Sequence, residues 1–155
     1  MQADDYFGIQ NLLYSYPFAL DRGDFDAVGK LFEHADVYSG GVLMASKDAS
    51  RVAASFRDWV LTYEGSPHTR HFLANVMIEP EGEEQATVRS YVMVFQQTDA
   101  LPLQPVIGGD YLDRVRKVDG LWRFVERHMG NDQVGDLSAH GHDAGVITRY
   151  RANAG

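Results

Sequence analysis

The stretch SPHTRHFLAN, residues 66–75, carries two histidines three positions apart at the start of an alternating, strand-like run. His71 is followed by Phe72, Leu73 and Ala74, so its ring points into or across apolar surroundings. An imidazole in such a place can be a metal ligand, a catalytic base or a core residue with one satisfied hydrogen bond. The residues around His71 leave these three interpretations open.

Metal-binding and nucleophile motifs are scarce. His68 and His71 face opposite sides of a strand because strand side chains alternate, and no HExxH pattern occurs. HGHD (140–143) could chelate a metal only as a surface site in the C-terminal tail. The chain has no cysteine and no GxSxG, and its SGG and IGGD stretches lack the helix and lysine of a phosphate loop. We therefore expect no metal and no cofactor.

The composition also excludes some classes of partner. The chain has 155 residues, of which 45% are hydrophobic, and a formal net charge of −8. That charge, without a cluster of Lys and Arg, argues against nucleic-acid binding. No apolar run approaches the ~18 residues of a membrane span, and the N-terminus lacks the features of an export signal. With no cysteines, these features predict a cytoplasmic protein.

Helical periodicity marks the first part of the chain. Asp4 or Asp5 can cap a first helix, which ends at the DRGD stretch (21–24). Asp24 can cap a short second helix, and Asp48 can start a third. The apolar positions of the first helix are Ile9, Leu12, Leu13, Tyr16 and Leu20.

Strand-like alternation marks the rest. ADVYSGGVLM (35–44) predicts a hairpin, and Asp119-Gly120 is a strong two-residue turn signal. The other alternating runs are residues 69–79, 84–98, 106–117 and 121–129. We expect one domain, 1–155, with a core over about 5–130 and an irregular tail over 131–155. Helices followed by an antiparallel meander predict an α+β fold in which a curled sheet covers the helices and leaves one open end.

Four motifs, combined with this order of elements, resemble a known family. They are ALDRGDFDAVGKLF (19–32), TRHFLAN (69–75), IGGDYLDRV (107–115) and DGLWRF (119–124). The chain is similar to the SnoaL-like branch of the nuclear transport factor 2 superfamily, and nearest in pattern to scytalone dehydratase and hexachlorocyclohexane dehydrochlorinase. The resemblance implies a cystatin-like α+β barrel: a cone-shaped, antiparallel-rich mixed sheet around three N-terminal helices.

The resemblance also implies a catalytic pair. In those lyases an aspartate at the end of the first helix holds a strand histidine, which removes a proton from the substrate; Asp21 and His71 match these positions. A histidine suits this role because its pKa starts near ~6.5, and an aspartate fixes its tautomer. The plain alternatives are a buried core histidine and an aspartate that stabilises the RGD turn. The dehydratase's second strand histidine has no counterpart, since Val94, Phe95 and Gln96 stand there.

Six further residues are substrate-binding candidates. Because strand side chains alternate, Asn75 shares a face with His71 and lies about 13 Å along the strand from it. His128 is a weaker candidate for a general acid. Phenols can donate a proton to a departing oxygen, although a tyrosine can equally be a core residue with its hydroxyl in water. The candidate tyrosines are Tyr16, Tyr38, Tyr91 and Tyr111.

The sequence therefore predicts a lyase of the dehydratase type, or an isomerase, that uses no cofactor. Its substrate would be a small, apolar, cyclic or aromatic molecule. The alternative is a non-catalytic ligand-binding or structural subunit, resembling the small subunit of aromatic-ring dioxygenases. Epoxide hydrolysis or polyketide cyclisation ranks lower, because only Asp21 is a convincing acidic group. Curved sheets of this type expose an apolar outer face that homodimers or homotrimers cover, so we expect a homo-oligomer. The resemblance to the two lyases implies a trimer rather than a dimer.

Overall fold

The periodic stretches form three helices and one six-stranded sheet in the computed structural model, which describes residues 1–142. Asp24 and Asp48 cap their helices as predicted, each accepting a hydrogen bond from a backbone N–H three residues later. The first helix instead has Gln2 at its N-cap, and the backbone N–H of Gln2 donates to Asp5 over 2.8 Å. The elements are α1 (Ala3–Asp21), α2 (Phe25–Leu31), β1 (Asp36–Ser39), β2 (Val42–Ser46), α3 (Ala49–Trp59), β3 (Thr69–Pro80), β4 (Gln85–Gln96), β5 (Gln104–Val118) and β6 (Leu121–Val134).

The sheet confirms the predicted α+β class. Its strand order is β2-β1-β6-β5-β4-β3, and only the β1/β6 pair is parallel. Helix α1 contacts both β6 and the distant β3, so the sheet curls around it. In the described part of the chain, strands β2 and β3 are edges, and the sheet is not closed into a barrel. Within residues 1–142, no helix is both long and apolar enough to cross a membrane.

The predicted turns are present, but one strand is longer than expected. Asp119 and Gly120 both have positive φ, 52° and 76°, as a tight two-residue hairpin requires. Strand β6 continues to Val134, into the predicted irregular tail, because Val134 pairs with Ile107 at the start of β5. The sequence over 131–134 does not alternate, so these residues form a strand because the backbone of β5 is available to pair with them, and not because of their own pattern. Residues 143–155 of the predicted tail lie outside the described part of the chain.

A buried ion pair lies in the core between β5 and β6. Asp113 and Arg127 stand opposite each other in the ladder and are both 0% exposed. The guanidinium donates to both carboxylate oxygens, over 2.6 and 2.7 Å. The guanidinium carbon also lies 4.6–5.2 Å from four ring centroids, those of Tyr16, Phe32, Tyr111 and Phe124. Breaking the pair would leave a buried charge without compensation.

We expect Asp113→Asn to lower the free energy of unfolding by about 3–5 kcal/mol, because it leaves the buried guanidinium of Arg127 without a compensating negative charge. Urea denaturation measures this loss. The matched control is Glu79→Gln, which removes an exposed ion pair with Arg89 of 3.8 Å and should change stability by less than about 0.5 kcal/mol. Equal, small effects of the two substitutions would contradict the role given to the buried pair.

Candidate active site

Asp21, the last residue of α1, receives three hydrogen bonds from the start of β3. The backbone N–H of His71 donates to Oδ2 over 2.9 Å, and the Thr69 hydroxyl donates to Oδ1 over 2.7 Å. The Nδ1 atom of His71 lies 2.6 Å from Oδ1. The side chains are nearly buried, with 11% of Asp21 and 7% of His71 exposed. The carboxylate thus fixes both the backbone and the ring of His71.

The charge of Asp21 sets the tautomer of His71. Burial alone would raise the pKa of Asp21, but the hydrogen bonds and charge of His71 outweigh burial, and the pKa is lowered. The carboxylate is therefore ionised at neutral pH and acts only as an acceptor, so Nδ1 of His71 carries the proton and donates. The other ring nitrogen, Nε2, has no hydrogen-bond partner among residues 1–142, so it is the nitrogen that has the lone pair in the neutral imidazole. This is the arrangement of a general base.

The loop before β3 packs closely against the end of α1. Gly23 has φ of 75°, and a Cβ built on it would lie 2.1 Å from the carbonyl oxygen of Gly65. The Ser66 hydroxyl donates to the backbone carbonyl of Asp21 over 3.1 Å. Because Gly23 has no side chain, the loop between α3 and β3 can pack against the end of α1. This packing places His71 next to the Asp21 carboxylate.

A cavity of about 290 Å³ lies beside His71, between the helices and the inner face of the sheet. Its wall is mostly apolar, with Leu20, Phe56, Val94 and Ile107 among the lining residues. Polar groups are few, as in most small-molecule sites. They belong to Tyr16, Ser39, Ser55, Thr69, His71, Tyr111, Asn131 and His140.

Two of the predicted tyrosines line this cavity. Tyr16 is 2% exposed and Tyr111 is 4% exposed, and their rings meet edge-on with centroids 6.1 Å apart. The Tyr16 ring also lies edge-on to His71, at 6.2 Å. Burial raises the pKa of both phenols, so both remain protonated and can donate hydrogen bonds at neutral pH.

Tyr38 and His128, both predicted to bind substrate, are not among the residues that line this cavity. They are opposite each other in the β1/β6 ladder, and their rings stack with centroids 4.4 Å apart. Because side chains alternate along a strand, Arg127 and Met129 point inward and His128 points outward. Of the two residues that end the predicted last strand, Arg127 is the inward one.

Asn75 and Tyr91 are also on the outer side. A bulge between Ala74 and Met77 interrupts the β3/β4 register, and Asn75 there has φ of 52°. The extra residue breaks the alternation, so Asn75 does not share the cavity face with His71. Tyr91 is 61% exposed, because its neighbours Ser90 and Val92 occupy the inward positions of β4. Neither of these two predicted substrate-binding residues is among those that line the cavity beside His71.

His140 is a site residue that the sequence did not indicate. It was considered only within a surface chelator, but it is 3% exposed and lines the cavity. Burial, and then the charge of His71, lower the pKa of His140 to about 4. The apolar Leu137 and Ala139 beside it are the one sequence signal that this segment is buried. Within residues 1–142 no three His, Cys, Asp or Glu side chains are grouped to hold a metal.

Comparisons with known proteins agree with this architecture. A cystatin-fold protein of unknown function from Nostoc punctiforme is 23% identical with a TM-score of 0.71, over 85% of this chain and 94% of that chain. A Novosphingobium aromaticivorans protein provisionally named a scytalone dehydratase is 26% identical with a TM-score of 0.67, over 85% and 87%. From the same organism, a protein provisionally named the beta subunit of an aromatic-ring-hydroxylating dioxygenase is 15% identical with a TM-score of 0.65, over 86% and 93%.

At the level of sequence, no curated protein matches the chain significantly. The SnoaL-like domain family, however, matches residues 1–128, which include α1, β3 and the Asp21–His71 pair. The chain therefore belongs to the SnoaL-like domain family.

Proposed function

We propose that the protein is a lyase of the dehydratase type, or an isomerase, that removes a proton from carbon without a cofactor. One observation carries the proposal: Asp21 holds Nδ1 of His71, and Nε2, which has no hydrogen-bond partner among residues 1–142, belongs to a ring that lines a cavity of about 290 Å³. A buried pair in a filled core would need no such space. A neutral imidazole with a fixed tautomer is suited to proton abstraction near pH 7.

The proposed chemistry uses His71 as the base and Asp21 as its positioning residue. The substrate C–H bond breaks, the proton goes to Nε2 of His71, and the electron pair forms a carbon–carbon double bond. In a lyase a leaving group on the next carbon departs; in an isomerase the proton returns at a different carbon. The Asp21 carboxylate stabilises the imidazolium that forms. A phenol of Tyr16 or Tyr111, or a water, assists the departing or charged oxygen.

The cavity wall indicates the substrate class. Its apolar side chains favour a small, apolar, cyclic or aromatic molecule, and its few polar groups would orient one or two oxygens. The provisional name of the Novosphingobium relative, a scytalone dehydratase, lies in the same reaction class and supports the assignment. Acidic side chains are not among the lining residues described, which disfavours epoxide hydrolysis and cyclisation by several carboxylates.

The second candidate is a non-catalytic ligand-binding or structural subunit. It is favoured by the fold shared with the protein provisionally named a dioxygenase beta subunit. That function does not require a base with a fixed tautomer beside a cavity, so we rank it below the lyase or isomerase. A partner protein that co-purifies in a fixed ratio would support it.

We expect the wild-type protein to exchange substrate protons for deuterium in a panel of cyclic ketones and hydroxylated ring compounds. His71→Gln should lower the exchange rate by about 10²–10⁴-fold, since it removes the base. Asp21→Asn should also lower the exchange rate, because the His71 ring is then no longer held with its proton on Nδ1. Proton NMR in D₂O measures the loss of signal.

His34→Gln is the matched control, because that ring is 57% exposed and lies outside the cavity; its rate should equal that of the wild type. The proposal is refuted if compounds shown to bind exchange at the same rate with wild-type protein and with folded His71→Gln.

We also propose that the chain forms a homo-oligomer, a trimer rather than a dimer, through the outer face of the sheet. Large apolar side chains are exposed there, with Phe72 at 57% and Tyr91 at 61%. Sedimentation velocity should give a multiple of the chain mass, and Tyr91→Glu should weaken the assembly because it places a charge in the contact. A wild-type protein that sediments as a monomer would contradict this.

A further inference from the structure

The segment that carries His140 is held firmly against the rest of the fold. The carbonyl oxygen of Ala139 accepts hydrogen bonds from the Gln96 side chain over 2.8 Å and from the Tyr63 hydroxyl over 2.9 Å. The carbonyl of His140 itself accepts from the backbone N–H of Leu61 over 3.0 Å. These bonds come from β4 and from the loop after α3, so His140 has a fixed place in the cavity wall.

The ring of His140 is buried but not fully partnered. Its Nδ1 atom is buried and has no hydrogen-bond partner among residues 1–142. Nε2 is not among the buried atoms without a partner, and the side chain lines the cavity, so we infer that Nε2 is the ring nitrogen that faces the cavity. Because the pKa is about 4, the ring is neutral at pH 7 and carries one proton. A buried N–H without an acceptor is rarer than a buried acceptor without a donor, so the proton belongs on Nε2.

His140 and His71 then offer complementary groups to one cavity. Asp21 holds the proton of His71 on Nδ1, which leaves a lone pair on Nε2. The wall around His140 selects the other tautomer, which presents an N–H. A neutral imidazole N–H is a good partner for an oxygen that gains negative charge, because it donates without giving up its proton.

We propose that His140 is a substrate-contacting residue, and that its Nε2–H donates to a carbonyl oxygen next to the carbon that His71 deprotonates. The inference rests on the proposed function and narrows its substrate class to cyclic or aromatic compounds with such a carbonyl. When the C–H bond breaks, the proton passes to His71 and the electron pair forms the enolate double bond. The carbonyl oxygen takes the negative charge and stays hydrogen-bonded to His140.

The test compares the binding of two probes, 1-indanone and indane, which differ by one carbonyl oxygen. Indanone can accept a hydrogen bond but cannot donate one to His71. We expect wild-type protein to bind indanone more tightly than indane, and His140→Phe to reduce that ratio of dissociation constants roughly three- to tenfold. The dissociation constant for indane should change less than that for indanone, since phenylalanine keeps a flat aromatic ring, although a somewhat larger one, and removes the N–H. NMR titration measures all four constants.

His142→Phe is the matched control, because that side chain is exposed two residues away; it should keep the wild-type ratio. His140→Gln retains an N–H donor and should keep part of the preference. Equal wild-type affinities for the two probes, or the same ratio in His140→Phe as in the wild type, would overturn the inference. A preference that depends on His140, together with no deuterium exchange that depends on His71, would refute the proposed function and leave His140 as a binding residue.

Discussion

The contact between the carboxylate that ends α1 and the imidazole at the start of β3 is the constraint on which the site depends. Among the strands of residues 1–142, β3 is an edge strand with one neighbour in the sheet. Asp21 gives it a second attachment, through the backbone and ring of His71 and the hydroxyl of Thr69. The same bonds that join the helix layer to the sheet also choose which nitrogen of His71 carries the proton. Structure and proposed chemistry thus share one set of contacts.

A second interaction shapes the floor of the cavity. The Arg127 guanidinium, neutralised by Asp113, lies against the rings of Tyr16 and Tyr111, which line the cavity. It fixes the two phenols without presenting a charge to the ligand, since Arg127 does not line the cavity. The cavity therefore combines an apolar wall with a few oriented polar groups, and in low-polarity surroundings each hydrogen bond to a ligand is strengthened.

The sequence predicted the parts of this site that depend on local rules. Helix caps, hairpin turns and alternation follow from neighbouring residues, and the resemblance carried by LDRGD and TRHF located Asp21 and His71. The sequence did not predict the position of side chains that contacts between distant parts of the chain determine. No sequence pattern that we identified marks the bulge that turns Asn75 outward. The sequence also did not show whether Arg127 or His128 faces the core, because this depends on which side of β6 packs against the helices. His140 was missed because its place depends on hydrogen bonds from distant elements.

The claim that Asp21 holds the proton of His71 on Nδ1 can be tested directly by nitrogen NMR of histidine-labelled protein. The His71→Gln variant assigns the signals. With the imidazole in its neutral form, we expect Nδ1 to carry the proton and Nε2 to show the chemical shift of an unprotonated nitrogen. Asp21→Asn should abolish this preference. If the neutral ring of His71 in the wild-type protein carries its proton on Nε2, the proposed role of His71 as the base is contradicted. The nitrogen assigned to remove the substrate proton would then already carry one.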